Sequence, residues 1–305
     1  MYTRRDILAA GTALAASLPL RNVVKGTTRA APVPLILFEK VLQNLDAEQL
    51  AEALVEIDAD GIEVAVRPGG RIEPGEAAKK LPPLIKALQQ RGKKILLATT
   101  RITSATSEST DLLKVLADNQ IPQYRMGYYR WNQTDDWSRQ RDNVQQQIEE
   151  LAELNQKIGI RGLYQNHAGK RYYGAMVHEM LSILSGISPN QINLALDLRH
   201  LRAEAGLSWP TVLRLAAPRT GCLYIKDARW QGTRTNQLEN VPLGKGFVDR
   251  DMFAAARKAC PAVPISLHVE YHGGKPLEGD ALTQAIGSYQ NDTRLLREWM
   301  SETKK

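Results

Sequence analysis

After residue 32 the sequence repeats one pattern, in which a short apolar run rich in Ile, Leu and Val ends in polar residues and a longer stretch with helical spacing follows. Continuous apolar runs are typical of strands buried on both faces, whereas apolar positions three to four residues apart indicate amphipathic helices. Eight runs are predicted as strands, over residues 34–38, 61–66, 93–98, 121–126, 160–165, 192–197, 221–226 and 264–269.

Three of the intervening stretches carry clear helical faces. Gly92 follows the first of them and is expected to end that helix. The apolar positions that define these faces are Ala77, Leu81, Leu84, Ile85 and Leu88 in the first, Val144, Ile148, Leu151 and Leu154 in the second, and Leu282, Ile286, Tyr289 and Trp299 in the third. Strands that alternate with helices in this way are predicted to pair in parallel.

The alternation of strands and helices predicts an α/β fold, a single-domain (β/α)8 TIM barrel over residues 32–305. An open doubly wound sheet is the main rival, because it uses the same alternation. That fold usually carries a glycine-rich turn after its first strand, and the corresponding stretch, LILFEKVLQ, contains no glycine. No linker or change of composition divides the chain after residue 32, so one domain is the simplest interpretation.

Residues 1–31 are predicted to be an export signal rather than part of the fold. Arg4 and Arg5 precede a mild, Ala-rich apolar stretch from Ile7 to Leu20, which is the arrangement of a signal peptide. The adjacent arginines indicate the twin-arginine type, which predicts an exported, periplasmic or extracellular protein. An amphipathic N-terminal helix is the alternative, although no polar face recurs there at helical spacing.

Charge and cysteine content narrow the classes of function. The chain carries a formal charge of +7, but residues 1–31 contribute +4 of it, so the remainder carries +3. That small excess, without a Lys/Arg run, argues against nucleic-acid binding, and no apolar run predicts stable membrane insertion after signal removal. Export would permit a disulfide between Cys222 and Cys260, but Cys222 opens an apolar run, which favours a buried free thiol.

Polar side chains follow the predicted strands at the point where each strand ends. In a barrel of this type the active site lies at the carboxyl ends of the strands, which converge on one mouth. Asp197 and Glu270 follow strands six and eight, and two carboxylates at a shared centre can hold a divalent cation or act as a general acid–base couple. The candidates in chain order are Glu39, Lys40, Glu63, Arg67, Thr99, Thr100, Arg125, Tyr128, Tyr129, Arg130, Gln165, Asn166, His167, Asp197, His200, Lys226, Asp227, Glu270 and His272.

Two further features are expected near this mouth. Tyr128, Tyr129 and Trp131 lie just beyond strand four, and flat rings beside hydrogen-bonding groups suit the faces of sugars; packing within the fold is the alternative. Residues 228–246 form a long predicted loop that ends in a Gly-x-Gly turn. This loop is expected to cover the site, and its Gly-x-Gly is too weak a signal for a phosphate-binding loop.

Taken in order, the motifs resemble exported members of the sugar phosphate isomerase/epimerase family, which are xylose-isomerase-like TIM barrels. The resemblance covers nearly all of the chain after residue 31 and is specific as a set, although no single motif is. The motifs are GIEVAVRPGGRIEPGE (61–76), YRMGYYRW (124–131), YQNHAG (164–169), DLRH (197–200), YIKDARW (224–230), NVPLGKGFVD (240–249) and PISLHVEY (264–271).

The resemblance implies a divalent metal, Mn²⁺ or Mg²⁺, held by Glu, Asp, His or Gln, and Glu from strands five to eight. Carried over by position, Asp197 is the second ligand and Glu270 the fourth, while His200 matches a histidine that contacts the substrate. The chain departs from the pattern at Gln165, which can ligate only through its carbonyl, and at Tyr224, which replaces the third ligand. The implied metal site of Asp197, Glu270 and Gln165 is weaker than usual.

The leading hypothesis is an exported sugar or keto-sugar isomerase or epimerase that removes a proton next to a carbonyl. Glu270 is the preferred base, Asp197 anchors the metal, and a metal or Lys226 stabilises the enediolate. His167 and His200 would orient hydroxyls or relay protons. The residues predicted to bind substrate are Glu63, Arg67, Arg125, Tyr128, Asn166 and Asp227.

Two alternatives stay open. A lyase or hydrolase acting on a keto-glycoside would begin with the same proton abstraction and then release the glycosidic oxygen. A carbohydrate-binding barrel with a decayed metal site is the third hypothesis; Gln165 and Tyr224 favour it, whereas the polar residues retained on strands six to eight oppose it. In every case the partner is a small-molecule carbohydrate, and the oligomeric state stays open.

Overall fold

Eight parallel strands close into a barrel in the computed structural model, which describes residues 32–232 and 234–303. The strands in chain order are β1 (Leu35–Phe38), β2 (Gly61–Ala65), β3 (Lys94–Thr99), β4 (Gln123–Arg125), β5 (Arg161–Gln165), β6 (Ile192–Asp197), β7 (Thr220–Ile225), β8 (Asp227–Gln231), β9 (Arg234–Val241) and β10 (Ile265–Leu267), of which β8 and β9 lie outside the barrel. Around the barrel the order is β1-β10-β7-β6-β5-β4-β3-β2, and the pairing of Leu35 with Ile265 joins the first strand to the last. Closure confirms the predicted TIM barrel and rules out the open sheet.

Helices follow the barrel strands and cover the outside of the barrel. They are α1 (Ala47–Glu56), α2 (Ala77–Gln90), α3 (Ser107–Asp118), α4 (Trp137–Ile158), α5 (Val177–Ile183), α6 (Leu198–Ala205), α7 (Trp209–Ala216), α8 (Arg250–Ala259) and α9 (Gly279–Glu302). The three predicted helical faces are those of α2, α4 and α9, and Gly92 follows α2 with the positive φ of 68° that favours glycine. Ile148 and Leu151 of α4 are fully buried, and burial of each side chain contributes roughly 1.5–3 kcal/mol.

The barrel interior holds its own small apolar cluster, separate from the layer between strands and helices. Its buried members come from five strands, with two from β7, and are Ile36, Leu97, Leu163, Ala195, Cys222 and Tyr224. Because successive residues of a strand point to opposite faces, the next inward positions beyond this cluster reach the mouth. Cys222 is therefore the buried free thiol that its apolar run predicts, and Cys260 is also free and buried.

The segment predicted as a loop over residues 228–246 is instead mostly a β-hairpin. Strands β8 and β9 pair antiparallel, with Asp227 opposite Val241, and form a sheet of their own beside the barrel. The following turn passes so close to β8 that a Cβ on Gly246 would lie 2.1 Å from the carbonyl oxygen of Ala228. Glycine is therefore required at this position by close backbone approach.

Two predictions concern export and membrane insertion. The predicted export signal over residues 1–31 lies outside the described residues. Within residues 32–232 and 234–303, no helix combines the length with the apolar content that a membrane span requires.

Candidate active site

The carboxyl ends of β6, β7 and β10 bring Asp197, Lys226 and Glu270 together at the mouth of the barrel. The Lys226 Nζ lies 3.1 Å from Oδ2 of Asp197 and 3.4 Å from Oε2 of Glu270. Asp197 and Lys226 are buried, whereas the Glu270 side chain keeps 18% of its surface exposed. Lys40, which follows β1, approaches the other oxygen of Glu270 at 3.8 Å. The centre is therefore two carboxylates arranged around an ammonium group.

Asp197 is fixed by its neighbours on both oxygens. Its Oδ1 accepts from the backbone N–H of His200 at 3.1 Å and so caps helix α6. Its Oδ2 accepts from the Nε2 amide of Gln165 at 2.8 Å, in addition to the contact with Lys226. Asn166 holds the backbone on either side, since its Oδ1 accepts from the Asp197 N–H at 2.8 Å and its Nδ2 donates to the Asp197 carbonyl at 3.2 Å.

The Gln165 amide is held in one orientation by three side chains. Its Oε1 accepts from Nη1 of Arg125 at 2.6 Å and from the hydroxyl of Tyr128. Because a guanidinium can only donate, the amide oxygen must face Arg125, which leaves the amide NH₂ for Asp197. Arg125 also donates to the Tyr128 hydroxyl at 2.7 Å. The carbonyl that was predicted to ligate a metal is thus already occupied.

Two neutral histidines stand next to this centre. The rings of His167 and His200 lie against each other at a tilt, with centroids 4.0 Å apart. The Tyr172 ring also contacts that of His167, with centroids 3.9 Å apart. Burial, then the charge of Lys226, lowers the pKa of His167 to about 4 and that of His200 well below its usual range. Both rings are therefore uncharged near neutral pH.

The tautomer of His200 follows from its contacts. The backbone N–H of Ala168 donates to Nδ1 of His200 at 3.1 Å, so Nε2 carries the ring proton. That Nε2 lies 3.6 Å from Oδ2 of Asp197 and has no hydrogen-bond partner among the described residues. A buried donor without a partner is costly to the fold.

Charge pairing sets the protonation states of the central residues. Burial acts to lower the pKa of Lys226, but Asp197 and Glu270 outweigh it and raise that pKa. Burial acts to raise the pKa of Glu270, but Lys226, the nearby His268 and the charge of Lys40 hold it well below its usual range. The resting site therefore contains a charged ammonium and an ionised carboxylate.

Glu63, predicted to bind substrate, lies instead in a closed hydrogen-bond network inside the barrel. Its carboxylate accepts from Tyr224 at 2.8 Å, from Ser266 at 2.7 Å and from the Thr99 hydroxyl, and His268 lies 3.2 Å away. Burial acts to raise the pKa of Glu63, but His268, Arg125 and these hydrogen bonds bring it to about 2. Glu63 is fully buried and serves the interior of the barrel.

His268 was not among the predicted site residues, although it links the interior network to the mouth. Its Nε2 lies 3.2 Å from Glu63, and its Nδ1 lies 3.9 Å from Oε1 of Glu270. The signal that could have identified it is strand alternation, because Ser266, His268 and Glu270 occupy every second position and so share the inward face. His272 instead contacts Ser288.

Several other predicted site residues have structural roles. Tyr224, which the resemblance puts at the position of the third metal ligand, donates to Glu63 inside the barrel. Lys226 is the residue that reaches Asp197 at the mouth. Asn166 brackets the Asp197 backbone, and Asp227 accepts from the backbone N–H groups of Ala228, Gly246 and Val248 at 2.7–2.8 Å. Asn166 and Asp227 thereby organise the strand ends and the hairpin, and their part in substrate binding stays a prediction.

The aromatic cluster after β4 is divided between the site and the core. Tyr128 contacts Gln165 and places its ring edge against His167, with centroids 5.1 Å apart. Tyr129 is buried against Tyr164, and Trp131 packs on Trp137 and Tyr173. Of the three predicted sugar-stacking rings only Tyr128 lies at the mouth. The other two follow the packing alternative.

The residues present do not fit a divalent metal. A hard cation needs free carboxylate and carbonyl oxygens, but the Gln165 carbonyl is held by Arg125 and the Asp197 oxygens accept from the His200 N–H and from Gln165. The position between the two carboxylates holds the Lys226 ammonium, which would repel a second cation there. Within residues 32–232 and 234–303, no cluster of three or more His, Cys, Asp or Glu side chains has metal-binding geometry.

A profile of the protein family described as a xylose isomerase-like TIM barrel matches residues 51–296. No curated protein sequence matches the chain. The barrel is similar to that of the probable 3-DHS dehydratase AsbF of Bacillus anthracis, with 13% identity, a TM-score of 0.68 and coverage of 87% of this chain and 98% of that chain.

Two further solved structures show the same likeness. The 3-keto-D-glucoside 4-epimerase YcjR of E. coli is 12% identical, with a TM-score of 0.64 and coverage of 88% of this chain and 100% of that chain. A xylose isomerase-like TIM barrel protein of Mycobacterium smegmatis in complex with magnesium is 12% identical, with a TM-score of 0.64 and coverage of 89% and 97%. At these identities the likeness establishes the shared fold alone.

Proposed function

The chain belongs to the xylose isomerase-like TIM barrel family, and on that premise we propose that it is a carbohydrate isomerase or epimerase. The proposed reaction moves a proton on the carbon next to a substrate carbonyl. The observation that carries this proposal is the Lys226 ammonium, set 3.1 Å from Asp197 and 3.4 Å from Glu270 at the barrel mouth. It combines a fixed cation with an adjacent, partly exposed carboxylate.

Lys226 is proposed to stabilise the enediolate that forms when the proton leaves. Its raised pKa keeps it charged, so it acts as an ammonium and not as the free amine that would form a Schiff base. A preorganised cation in a water-poor site favours the developing negative charge on the carbonyl oxygen. The sign and position of this charge are those that the chemistry needs.

Glu270 is proposed as the base. Its low pKa guarantees the ionised form that accepts a proton, at the expense of basicity in the resting site. Contact between Lys226 and the substrate oxygen would share the positive charge that now lowers this pKa, and would thereby raise the basicity of Glu270 as the enediolate forms. Asp197, enclosed by Gln165 and helix α6, would position Lys226 throughout.

The neutral histidines are proposed to handle the substrate hydroxyls. Among the described residues the Nε2–H of His200 has no partner, and the His167 ring lies against the His200 ring with centroids 4.0 Å apart. A neutral imidazole can donate and accept in turn, which suits proton relay between neighbouring oxygens. The metal that the family resemblance implies has no part in this proposal, because the donor atoms do not fit it.

A lyase is the second candidate, and Gln165 is the observation that favours it. An epimerase that reprotonates the opposite face of a carbon uses two bases, and Gln165 replaces one of them with an amide that cannot accept a proton. Elimination needs a single base next to the carbonyl and an acid at the leaving oxygen. Glu270 could fill both roles in turn, because the proton that it takes from the carbon can then be passed to the leaving oxygen.

The test is proton exchange with solvent. The purified protein is incubated in D₂O with a panel of aldoses, ketoses and 3-keto-glycosides, and the products are analysed by mass spectrometry and NMR. An isomer that gains one deuterium supports the isomerase, and a cleaved product that gains deuterium supports the lyase. Absence of both with every substrate would contradict either activity and leave the binding barrel.

Glu270→Gln supplies the matched variant. It keeps the shape of the side chain and its hydrogen-bonding ability but cannot take up a proton, so deuterium incorporation should stop while sugar binding persists. Exchange at the wild-type rate in Glu270→Gln would show that the base is another residue.

We also propose that the protein is exported through the twin-arginine pathway. The support is the sequence pattern of residues 1–31 alone, in which Arg4 and Arg5 precede the apolar stretch. Export would place the enzyme on carbohydrates outside the cytoplasm.

A further inference from the structure

A cavity of about 570 Å³ opens beside the catalytic centre, among the segments that follow β2, β3 and β4. It is lined by Arg67, Thr100, Arg101, Thr103, Arg125, Gly127, Tyr128 and Arg130. Four of these residues are arginines, and none is Asp or Glu. The volume suits a group of small-molecule size.

Arg125 and Arg130 have hydrogen-bond partners, Arg130 on Tyr172, but in the part of the chain that the structure describes Arg67 and Arg101 lack the carboxylate partners that structural arginines usually have. Arg71 provides the comparison within the same chain, because it pairs with Glu39 and donates to the carbonyls of Leu42 and Leu45 at 2.7 and 2.6 Å. Among the described residues, Arg67 and Arg101 have no carboxylate within 4 Å. Their charges therefore remain uncompensated.

Arg125 is only partly compensated. Its Nη1 is used by Gln165 and Tyr128, its buried Nε has no hydrogen-bond partner among the described residues, and the Glu63 carboxylate is 3.9 Å from that Nε. Burial, then repulsion from Arg125 and Arg101, lowers the pKa of Arg67. Glu63 compensates this cluster only in part, so the remaining repulsion destabilises the free protein and an anion in the cavity would relieve it.

We infer that this cavity binds an anionic group of the substrate, so that the carbohydrate on which the enzyme acts is an acidic sugar bearing a carboxylate or a phosphoryl group. The inference rests on the proposed function for the substrate's carbohydrate part, and it names the class of substrate within that function. Planar guanidinium groups match both anions, because each presents paired N–H donors to two oxygens.

The cavity shares a wall with the catalytic centre. Arg125 and Tyr128 line the cavity, and both bond to Gln165, whose amide bonds in turn to Asp197 at 2.8 Å. An anion bound by Arg67 and Arg101 would therefore anchor one end of the substrate while its carbonyl reaches Lys226. Binding energy from a remote group would then orient the reacting carbon.

The test measures binding without turnover. Isothermal titration in phosphate-free buffer compares D-glucuronate, D-glucose 6-phosphate and D-glucose on the full-length protein. The two acidic sugars should bind roughly tenfold or more tightly than glucose, and their ratio distinguishes a carboxylate site from a phosphoryl site. Equal affinity for all three sugars, or no binding of either acidic sugar, would overturn the inference.

Variants locate the site. Arg67→Gln and the exposed Arg101→Gln should each weaken binding of the preferred acidic sugar roughly tenfold, without changing the affinity for glucose. Arg214→Gln, an exposed arginine of α7 outside the cavity, is the matched control and should bind as the wild type does. Unchanged acidic-sugar affinity in both cavity variants would show that the anion binds elsewhere.

Failure of this inference is distinguishable from failure of the proposed function. Binding is read by titration calorimetry, whereas isomerase and lyase activity are read by deuterium incorporation. A protein that exchanges deuterium into neutral sugars and binds no anion keeps the proposed function and refutes the acidic substrate. A protein that binds acidic sugars without exchange does the reverse.

Discussion

The ammonium of Lys226 lies 3.1 Å from the carboxylate of Asp197, and both groups are shielded from solvent. Two opposite charges in a medium of low polarity attract strongly, and neither can be removed without leaving the other buried and unpaired. The pair therefore fixes a single positive charge at the point where the family resemblance implies a divalent metal. If the Lys226 ammonium stands in for that metal, the wild-type protein should work without a divalent ion and should bind none at this site.

Wild-type turnover should be independent of divalent metal, because Lys226 supplies the cation. Treatment with EDTA, followed by addition of Mn²⁺ or Mg²⁺, should leave turnover unchanged. Lys226→His should bind Mn²⁺ that the wild type does not bind, since it removes the ammonium and adds an imidazole beside two carboxylates. Metal analysis after dialysis measures both, and the exposed Lys258→His of α8 is the control.

Metal that copurifies with the wild type in equal proportion and whose removal stops turnover would contradict this prediction. It would show that Lys226 moves aside in solution. Lys258→His should behave as the wild type does in either case, because its side chain lies on the surface away from the mouth.

The fold was predictable from the sequence because its signals are local. Eight apolar runs and three helical faces can be seen in short windows, and each corresponds to an element of the barrel. The hairpin β8–β9 was missed because its strands are mostly polar and lie outside the barrel, so that hydrophobic periodicity does not mark them. A surface hairpin can form without a buried face to announce it.

The site was predictable only in part, because it depends on register between strands. Leu194 pairs with Thr220 but Ala195 pairs with Cys222, an irregularity that places Tyr224 opposite Asp197 in the register. The Tyr224 hydroxyl nevertheless donates to Glu63 inside the barrel, and the side chain that reaches Asp197 is that of Lys226. No pattern within either strand reveals these side-chain partners.

The hydrogen-bond partners of the polar side chains could not be predicted from the sequence either. A polar residue after a strand has the same appearance whether it binds substrate or organises a turn. Asp227 is committed to three backbone N–H groups, and Glu63 to the interior network, because of segments far away in the sequence. Asp197 and Glu270 remained at the mouth as expected.

Replacing Glu63 should damage the fold more than the binding of substrate. Glu63→Leu would leave His268 and Arg125 without their buried counter-charge, a loss of about 3–5 kcal/mol in the free energy of unfolding. Urea denaturation measures it, with Glu52→Gln as the control, because the pair of Glu52 with Arg91 lies at the surface and contributes little. A Glu63→Leu protein of wild-type stability would show that the network is unimportant to folding.

The free energy of unfolding should decrease as the pH is lowered from 6.5 to about 4, because His167 is held neutral in the folded protein. Its pKa is lowered from 6.5 to about 4 by burial and by Lys226, so the unfolded chain takes up a proton at a higher pH than the folded protein does. Stability is therefore present above pH 6.5 and is lost as the pH falls through about 4, by roughly 3 kcal/mol at most.

The variant His167→Gln isolates this contribution, because an amide does not titrate. Its free energy of unfolding should change less between pH 7 and pH 4.5 than that of the wild type, as measured by urea denaturation at both values. Identical pH dependence in the two proteins would mean that His167 is not held neutral by the fold.

Export should depend on the paired arginines. The double variant Arg4→Lys, Arg5→Lys keeps the positive charge but removes the guanidinium pair that indicates the twin-arginine route. Cell fractionation and immunoblotting should find the variant in the cytoplasm and the wild type outside it. Normal export of the double variant would rule out a twin-arginine signal. The single variant Lys25→Arg is the control, because it changes a basic residue of the same segment outside the arginine pair.

The last prediction concerns Gln165, where the family resemblance implies a glutamate. The structure gives its amide two tasks: the oxygen accepts from Arg125 and Tyr128, and the NH₂ donates to Asp197 at 2.8 Å. Gln165→Glu would keep the first task and reverse the second, because a carboxylate oxygen would then face the carboxylate of Asp197. Repulsion at that distance should displace Asp197 or force one carboxyl to hold a proton.

Turnover of Gln165→Glu should therefore fall, by roughly tenfold to a hundredfold, because Asp197 would no longer position Lys226. Metal binding should stay absent, since Lys226 still occupies the space between the carboxylates. Turnover and bound Mn²⁺ are measured side by side, with the exposed Gln145→Glu of α4 as the control. A variant that gains both metal and activity would contradict the lysine-centred site, because it would mean that the missing glutamate, and not the Lys226 ammonium, keeps a metal out of the wild-type site.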